Sequence, residues 1–451
     1  MLPQLFNQRF LRARARGAHG EAICVEVLVK ATSIFIYLCL MGGASWCAHA
    51  EPTQTGSGLV TNAATITSRQ SNGLVSIRQA FDAAWQRAVL RGEAEGTASR
   101  SKSEQELASN LLAGQPSVEL SQRSDRWHQA TGSRENEVGV ALPIWWPGQR
   151  SARIASAQVG ARFADAAKTS SRLRLAGEVR EAAWALSAQR AELEVAEDQA
   201  AYVKQLSADV WRRVAAGDLA RSDWLAAESE SLGAASAALD AQTRLRVAAS
   251  RWKLLTGLDD LPDPRETAPP AGDATAQHPD AALALFAQDR AMRQLDLAAN
   301  SKWDSPELAV KFREDTPASG IPALRSVGIS IRIPLGASAR GRTQLAEAQA
   351  NRTVAELHFS REQDRLREEA MTATFALDIA QRSLTAERER ARHLSERAIL
   401  IEKSFKLGES PLTDLLRAKS AATQAAAGSA KQEAAAGLAS ARQKQANGEL
   451  P

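Results

Sequence analysis

One long helical stretch occurs twice in this chain, and it limits the possible folds more than any other feature. The first copy runs from Pro147-Gly148-Gln149-Arg150 to a turn at Gly217-Asp218, and the second from Pro334-Leu335-Gly336 to a turn at Gly408-Glu409. One offset of 191 residues relates four matched pairs of positions: Pro143 and Pro334, Ala157 and Ala348, Gly217 and Gly408, and Asp223 and Asp414. A constant offset over roughly seventy residues indicates a duplicated unit.

Each copy could form a single helix of roughly 67 residues, which would span about 100 Å at about 1.5 Å per residue. Helices in ordinary globular domains are several times shorter. Aromatic residues make up only 5% of the chain, which suits long packed helices better than a large mixed core. The expected fold is therefore mainly helical and is built from two tandem repeats.

The first fifty residues have the pattern of a secretory signal peptide. Basic residues precede an apolar run over 31–44, and Ala48-His49-Ala50 fits a small-x-small cleavage site. Cleavage there would remove five basic and two acidic residues, so the net charge would fall from +4 to about +1. Most of the excess positive charge thus lies in the segment that would be removed, so the sequence predicts no nucleic-acid partner. All three cysteines also lie in this segment, which excludes disulfides and thiolate metal sites from the mature chain: Cys24, Cys39 and Cys47.

Two segments, 116–145 and 305–334, change from helical periodicity to alternation with period two. Each is expected to form a pair of strands with one uniformly apolar face and one small or charged face. Strands of about nine to eleven residues with this pattern suit a bilayer, although a half-buried soluble sheet fits the pattern equally well. Four strands cannot close a membrane barrel, because such barrels begin at eight strands. If these are membrane strands, several chains must contribute to one barrel.

The remaining pattern divides the chain into the signal peptide (1–50), a first repeat (51–257), a linker (258–279) and a second repeat (280–451). In the first repeat, a helix and the strand pair precede a long helix (147–216) and a shorter helix (218–257). The second repeat has the same order, with a long helix at 337–407 and a last helix at 411–446. Ser410 and Pro411 are expected to provide the N-cap and the first helical position of that last helix.

Catalytic and cofactor motifs are not found in the sequence. The mature chain's four histidines are scattered without ligand spacing: His128, His278, His358 and His393. The segment Gly336–Gly341 lacks the lysine and the glycine spacing of a phosphate-binding loop. Small residues such as Gly139 and Gly328 fall in the strands, where they would keep a lumen open. We therefore expect no enzyme activity, no cofactor and no bound metal.

The informative positions are the turns that end the two long helices, which share the pattern Gly-acid-x-x-x-Ser/Thr-Asp-x-Leu. Helix capping explains most of this pattern, since glycine ends one helix and Ser or Thr with Asp begins the next. The turns are also candidate docking tips, with these residues: Gly217, Ser222, Asp223, Leu225, Gly408, Ser410, Thr413, Asp414 and Leu416.

These features together resemble the TolC-like outer-membrane efflux factors over about Leu74 to Gln445. The resemblance rests on the signal peptide, the tandem repeats, the segment Leu142-Pro143-Ile144-Trp145-Trp146-Pro147-Gly148-Gln149-Arg150, and the tip Phe405-x-x-Gly408-x-Ser410-x-x-Thr413-Asp414-x-Leu416. The segment Pro147–Ile154 is most similar to the heavy-metal branch, the CzcC-type factors.

The resemblance implies a homotrimer with a twelve-stranded barrel in the outer membrane of a Gram-negative bacterium, continued by a twelve-helix periplasmic tunnel. It implies docking through the tips to a periplasmic adaptor protein and, through it, to an inner-membrane pump of the resistance-nodulation-division type. The resemblance also suggests acidic residues near the periplasmic entrance, for which Asp218, Asp223, Glu409 and Asp414 are candidates. The chain lacks the lipidated cysteine of many relatives, and its first tip has Val214 and Arg221 where an aromatic and a neutral residue are commoner.

Two other functions remain open at this point. The chain could be an outer-membrane conduit for type I protein secretion, or a periplasmic helical adaptor or scaffold. Adaptors carry a lipoyl-like β-domain and usually one helical hairpin, whereas this sequence predicts two hairpins. Neighbouring genes would separate small-substrate efflux from secretion.

Overall fold

The structure, a computed structural model, describes residues 74–125, 132–266, 278–318, 320–334 and 339–451, all within the unit Ser71–Pro451. The predicted signal peptide and its cysteines lie outside these residues, as do His128 and residues 336–338 of the phosphate-loop candidate at 336–341. The elements of the first repeat, in chain order, are β1 (Val75–Ser76), α1 (Ile77–Arg87), α2 (Val89–Ser109), β2 (Ser117–Ser124), β3 (Arg134–Pro143), α3 (Gln149–Ala216) and α4 (Arg221–Thr256).

The second half repeats this order of elements, except that α1 has no counterpart among the described residues. Its members are β4 (Pro262–Asp263), α5 (Pro279–Asn300), β5 (Glu307–Thr316), β6 (Leu324–Arg332), α6 (Ala339–Lys406) and α7 (Leu412–Ala446). Adding 191 to the bounds of α3 gives 340–407, and adding it to those of α2 gives 280–300. Both results fall within one residue of α6 and α5. The long helices have 68 residues each, or about 100 Å of helix.

Three local predictions differ from the structure. The single helix expected before the first strand pair is broken at Ala88, whose φ of −68° and ψ of 135° are extended and so separate α1 from α2. The segment predicted to be a linker contains β4, which pairs in parallel with β1. The last helix begins one residue later than expected, at Leu412, so that Pro411 and not Ser410 is its N-cap.

Both predicted strand pairs join in one antiparallel sheet with the order β2-β3-β5-β6. The pairs meet through β3 and β5, where Val140 lies opposite Val310. In the described part of the chain, β2 and β6 are edge strands with one paired side each. Every residue of these two strands is exposed.

The helices pack side by side in a fixed lateral order. Helix α3 contacts α4 and α2 on one flank and α7 and α5 on the other, whereas α7 and α5 are the only helices that α6 contacts in the described part of the chain. Many of the residues that α3 buries are small, such as Ala157, Ala164, Ala176 and Ala183, which lets neighbouring helices approach closely. None of the described helices is both long enough and apolar enough to cross a membrane.

A buried ionic network ties the middle of α3 to the chain segment after β4 and to the end of α7. Arg180 is only 2% exposed. Its guanidinium donates to both carboxylate oxygens of Glu266, at 2.6 and 3.0 Å, and to Gln445 Oε1 at 2.8 Å. Gln445 in turn donates to the Leu173 carbonyl at 2.8 Å. Because a buried charge needs a partner, this network fixes how the two halves meet.

Replacing Glu266 with Ala should lower the free energy of unfolding by about 3–5 kcal/mol, because it leaves the Arg180 charge buried without its carboxylate. Denaturant unfolding followed by circular dichroism measures this change. Glu192→Ala is the matched control, since Glu192 pairs with Arg244 on the surface. It should cost below about 1 kcal/mol. Equal losses in both variants would contradict the role given to the network.

Candidate functional sites

The two predicted tips have the same backbone geometry. Gly217 and Gly408 both adopt left-handed conformations, with φ of 86° and 78°. At the first tip, the Gly217 and Asp218 amides donate to the Val214 and Arg213 carbonyls. The Gly408 and Glu409 amides donate to the equivalent carbonyls at the second tip. This is the Schellman motif, in which glycine avoids the steric cost that a Cβ meets at positive φ. Both glycines therefore end their long helices as the sequence predicts.

The shorter helices begin differently at the two tips. In the first, Asp223 Oδ2 accepts from the Ala220 amide at 3.3 Å, so its carboxylate caps α4. In the second, the N-cap residue is Pro411, which has no N–H for Asp414 to accept. Asp414 instead lies 3.9 Å from Arg417 at the surface. The predicted capping role of the aspartate therefore holds for Asp223 only.

Ser410 lies within the second tip and not at a helix start. Its hydroxyl is 2.6 Å from the hydroxyl of Ser404 in the last turn of α6. The expected N-cap function of Ser410 is thus replaced by a bridge across the turn. Ser222 and Thr413 are exposed on the first turns of α4 and α7.

One hydrophobic cluster joins the two tips. Its buried members come from both repeats: Leu206, Val210, Ala227, Phe405, Leu412 and Leu415. Arg213 also lies over the Phe405 ring, 5.2 Å from its centroid. The tips are therefore a single packed end of the molecule.

A charged group lies beside this cluster. Glu402 accepts from Lys419 at 2.6 Å and from Lys406 at 2.9 Å. Burial alone would raise the pKa of Glu402, but the hydrogen bonds and charges of the two lysines outweigh burial and lower it. Burial and the Glu402 carboxylate raise the pKa of Tyr202, whose ring lies 4.1 Å from Lys419 Nζ. This group fixes α6 against α7 and α3 just above the tips.

The apolar surface of the tips differs from the sequence prediction. Leu225 is exposed, as expected, but Leu416 packs against the shared cluster. The correction follows from helix geometry, because Leu416 lies one turn after the buried Leu412, on a face of α7 that packs on this cluster. Trp211 is the residue that the sequence reasoning missed. It is 50% exposed and its ring lies 4.8 Å from that of Trp224, so the first tip presents a tryptophan pair.

The acidic candidates fall into two groups. Asp223 is used in capping, as described above. Asp218, Glu409 and Asp414 are exposed at the end of the molecule. In the part of the chain that the structure describes, neither Asp218 nor Glu409 pairs with a basic group within 4.0 Å, so both carboxylates face solvent.

At the other end of the long helices, one face of the sheet is charged and contains small residues. Lys311 on β5 crosses over Gly139 on β3, where its Cγ would lie 3.1 Å from an added Cβ. Its ammonium group reaches Glu137 at 2.7 Å and Glu119 on β2 at 3.3 Å. Arg313 pairs with Glu135 on the same face at 3.0 Å. These ion pairs connect three of the four strands.

The opposite face of the sheet is apolar and lies open. Cross-strand rows such as Val118, Val140, Val310 and Ile329 run across all four strands. The large apolar side chains of this face are 41–75% exposed: Val118, Leu120, Val138, Val140, Val310, Phe312, Val327, Ile329 and Ile331. A contiguous apolar surface of this kind marks contact with a membrane or another protein.

No group of three or more His, Cys, Asp or Glu residues able to hold a metal ion occurs among the described residues. The candidate functional sites are therefore the joined tips and the sheet with its one charged and one apolar face.

The Glu402 group predicts a pH dependence for the tip. Because the pKa of Glu402 is lowered in the folded chain, its contribution to stability is present at neutral pH and is lost as the pH falls through that lowered value. Lys419→Met should therefore destabilise the tip at neutral pH and reduce the loss of stability that the wild-type tip shows as the pH falls below about 4. Fluorescence of the Trp211–Trp224 pair during thermal unfolding measures both effects. The control Lys406→Met, at a more exposed partner of Glu402, should change less. Identical behaviour of both variants would contradict this account.

Comparison with solved structures identifies the fold. The outer membrane protein VceC of Vibrio cholerae matches with a TM-score of 0.68 at 14% identity, over 83% of this chain and 96% of VceC. The MtrE outer membrane channel of Neisseria gonorrhoeae matches with a TM-score of 0.67 at 16% identity, over 83% and 89%. The CmeC outer membrane channel of Campylobacter jejuni matches with a TM-score of 0.67 at 12% identity, over 82% and 85%.

No protein-family model matches the sequence, and no curated protein does. At identities of 12–16% the structural likeness is one of fold. The expected fold class is confirmed: the chain has the mainly helical, TolC-like fold of these outer-membrane channels.

Proposed function

We propose that this chain is one subunit of a trimeric outer-membrane channel, a passive conduit that exports small substrates from a Gram-negative bacterium. Its partners would be a periplasmic adaptor protein and an inner-membrane pump of the resistance-nodulation-division type. The observation that carries the proposal is the four-stranded sheet, which joins an open apolar face to two unpaired edges at one end of the long helices.

The apolar face of the sheet supports contact with lipid. Its rows of valine, isoleucine, leucine and phenylalanine extend over all four strands, and the face opposite is ionic. In water such an apolar face favours aggregation. In a barrel that spans a bilayer, the apolar face can contact acyl chains and the charged face can line a water-filled lumen. A soluble adaptor or scaffold has no use for this arrangement.

The unpaired edges support assembly. Backbone groups cannot be left unpaired in lipid, so β2 and β6 need strand partners there. Four strands are too few to close on themselves, but three copies would give a twelve-stranded barrel. The edge helix α4 has a matching requirement, because it presents an exposed apolar stripe at seven- or eight-residue spacing: Leu225, Leu232, Leu239, Val247 and Leu254.

The joined tips support docking. They lie about 100 Å along the helices from the sheet, a distance suited to reaching across the periplasm. Trp211 and Leu225 are exposed there beside free carboxylates at Asp218 and Glu409. Tryptophan is enriched among the residues that dominate protein interfaces. We assign this end to the adaptor and the acidic groups to the channel entrance.

Heavy-metal cations are the substrate class that the segment Pro147–Ile154 suggests through its resemblance. In the fold these residues have structural contacts. Gln149 donates to Ser301, Arg150 donates to the Ser109 carbonyl, and Arg153 lies over Trp145. The metal part of the proposal therefore rests on the resemblance alone and is tested separately from the channel.

The assembled state tests the channel itself. Full-length protein expressed in a Gram-negative host should be recovered from the outer-membrane fraction, and native mass spectrometry of the detergent extract should give three times the mass of one mature chain. The lipid-facing sheet and open edges require this outcome. A stable monomer in the soluble periplasmic fraction would contradict the proposal.

Export is tested by complementing a strain whose own copy of the gene is deleted. The wild-type chain should restore tolerance to zinc, cobalt, cadmium, copper or silver, while Gly408→Val should not. Valine at a φ of 78° costs about 1–2 kcal/mol and distorts the tip far from the sheet, so trimers should still form. Gly233→Val is the matched control, since Gly233 is helical with open space around it.

The outcomes of this experiment separate the parts of the proposal. Restored antibiotic tolerance with unchanged metal tolerance would reject metals as the substrate and keep the channel. Full export by Gly408→Val would reject docking through the tips.

A further inference from the structure

A cavity of about 540 Å³ opens where α4 ends beside the start of α2. Three arginines line it, one from each of three helices: Arg87, Arg174 and Arg251. Its apolar wall includes Val89 and Leu254, both 78% exposed. Glu178 is the one acidic residue in the lining. Among the described residues, none of the three arginines has a carboxylate within 4.0 Å, so the cavity has an excess of positive charge.

Because the chain is duplicated, the second repeat has a region equivalent to this cavity, and there the equivalent residues are in contact with another helix. Adding 191 turns Val89 into Asp280, Arg251 into Arg442 and Leu254 into Gln445. All three of these residues contact the long helix of the other repeat, α3. Arg442 pairs with Glu181 at 2.9 Å, Gln445 bonds Arg180 and the Leu173 carbonyl, and Asp280 accepts from Ser170.

Comparison of the helix–helix contacts of the two repeats shows which helix is missing beside the cavity. Within the chain, α2·α3 has the counterpart α5·α6, and α3·α4 has the counterpart α6·α7. The contacts α3·α5 and α3·α7 would have the counterparts α6·α2 and α6·α4. Among the described residues neither of these two contacts is formed. The cavity is thus the place where a long helix of the second repeat is absent.

The same offset of 191 residues identifies the positions on α6 that are equivalent to the α3 positions in the covered region. Leu173 corresponds to Asp364, Gly177 to Glu368, Arg180 to Met371 and Glu181 to Thr372. All four of these α6 positions are exposed. Met371 is 53% exposed, and Asp364 has only a surface contact with Arg367 on its own helix. This flank of α6 therefore offers two carboxylates and one apolar side chain.

We infer that α6 of a second copy of this chain covers the cavity, so that the second copy's Asp364 and Glu368 face Arg87, Arg174 and Arg251. The second copy's Met371 then packs on Leu254. This inference rests on the proposed trimer and adds to it the register of the helical interface and an ionic site that two chains complete.

Electrostatics favours this register over its neighbours. Covering three arginines without counter-charge is costly, whereas two carboxylates offset much of that cost. A slip of one heptad along α6 would replace Glu368 by Phe375 or by Arg361 at the same place. Either slip loses a carboxylate, and the second brings a fourth arginine to the cavity. The arginines therefore select one alignment of the subunits.

Cysteine cross-linking tests the register directly, because the three native cysteines lie in the segment predicted to be removed. Full-length Leu254→Cys/Met371→Cys should give covalent trimers with a short bifunctional thiol reagent, and neither single variant should. Leu232→Cys/Met371→Cys is the matched control, since residue 232 lies 22 positions, or about 33 Å, away along α4. It should not cross-link.

Charge reversal tests the ionic site. Arg251→Glu and Glu368→Arg should each lower the trimer-to-monomer ratio of the detergent extract about tenfold or more, and the double variant should recover most of the loss. Lys253→Glu is the control, because Lys253 pairs with Asp259 of its own chain. If the wild-type chain is trimeric but the Leu254→Cys/Met371→Cys variant forms no covalent trimers, or if both charge reversals leave the trimer-to-monomer ratio unchanged, this inference is overturned and the channel proposal stands. A wild-type monomer overturns both.

Discussion

The rest of the structure depends on the hydrogen-bonding requirement of the sheet's two edges. Strands β2 and β6 each expose a row of backbone N–H and C=O groups beside an apolar face. In water such edges invite uncontrolled pairing, and in lipid each unpaired group costs several kcal/mol. Neither solvent suits a single chain. In the proposed trimer, β6 of each copy pairs with β2 of the next, which satisfies the edges, while lipid covers the apolar face.

The long helices, like the sheet edges, require partners from another copy of the chain. Each long helix needs neighbours on both flanks, yet among the described elements of one chain α3 has them and α6 does not. The buried Arg180–Glu266 pair and the cluster at the tips hold the two repeats in one fixed relation. That relation, repeated between chains, would place every α6 beside an α4 of another copy. A rigid wall of this kind suits a conduit, because its shape is set by packing along the whole length and not by a ligand.

The sequence predicts the order and the lengths of the elements well, because these depend on local periodicity. Apolar spacing, the 191-residue offset and the two glycines locate the ends of the long helices and of the helices that follow them to within three residues. What it misses depends on contacts between residues distant in the chain. The pairing of β1 with β4 and the bond from Arg180 to Glu266, 86 positions apart, leave no local pattern. The packing of Leu416 against the shared cluster and the exposure of Trp211 likewise follow from how the two tips pack on each other, which no single repeat specifies.

Electron cryo-microscopy of the detergent-extracted, full-length protein tests the central claim most directly. The account predicts a threefold assembly in which β6 of each copy is hydrogen-bonded to β2 of the next, giving twelve strands, with the apolar rows facing the detergent belt. A map of a single chain whose sheet edges are covered by its own residues, or of an assembly in which the apolar face lines the interior, would contradict it.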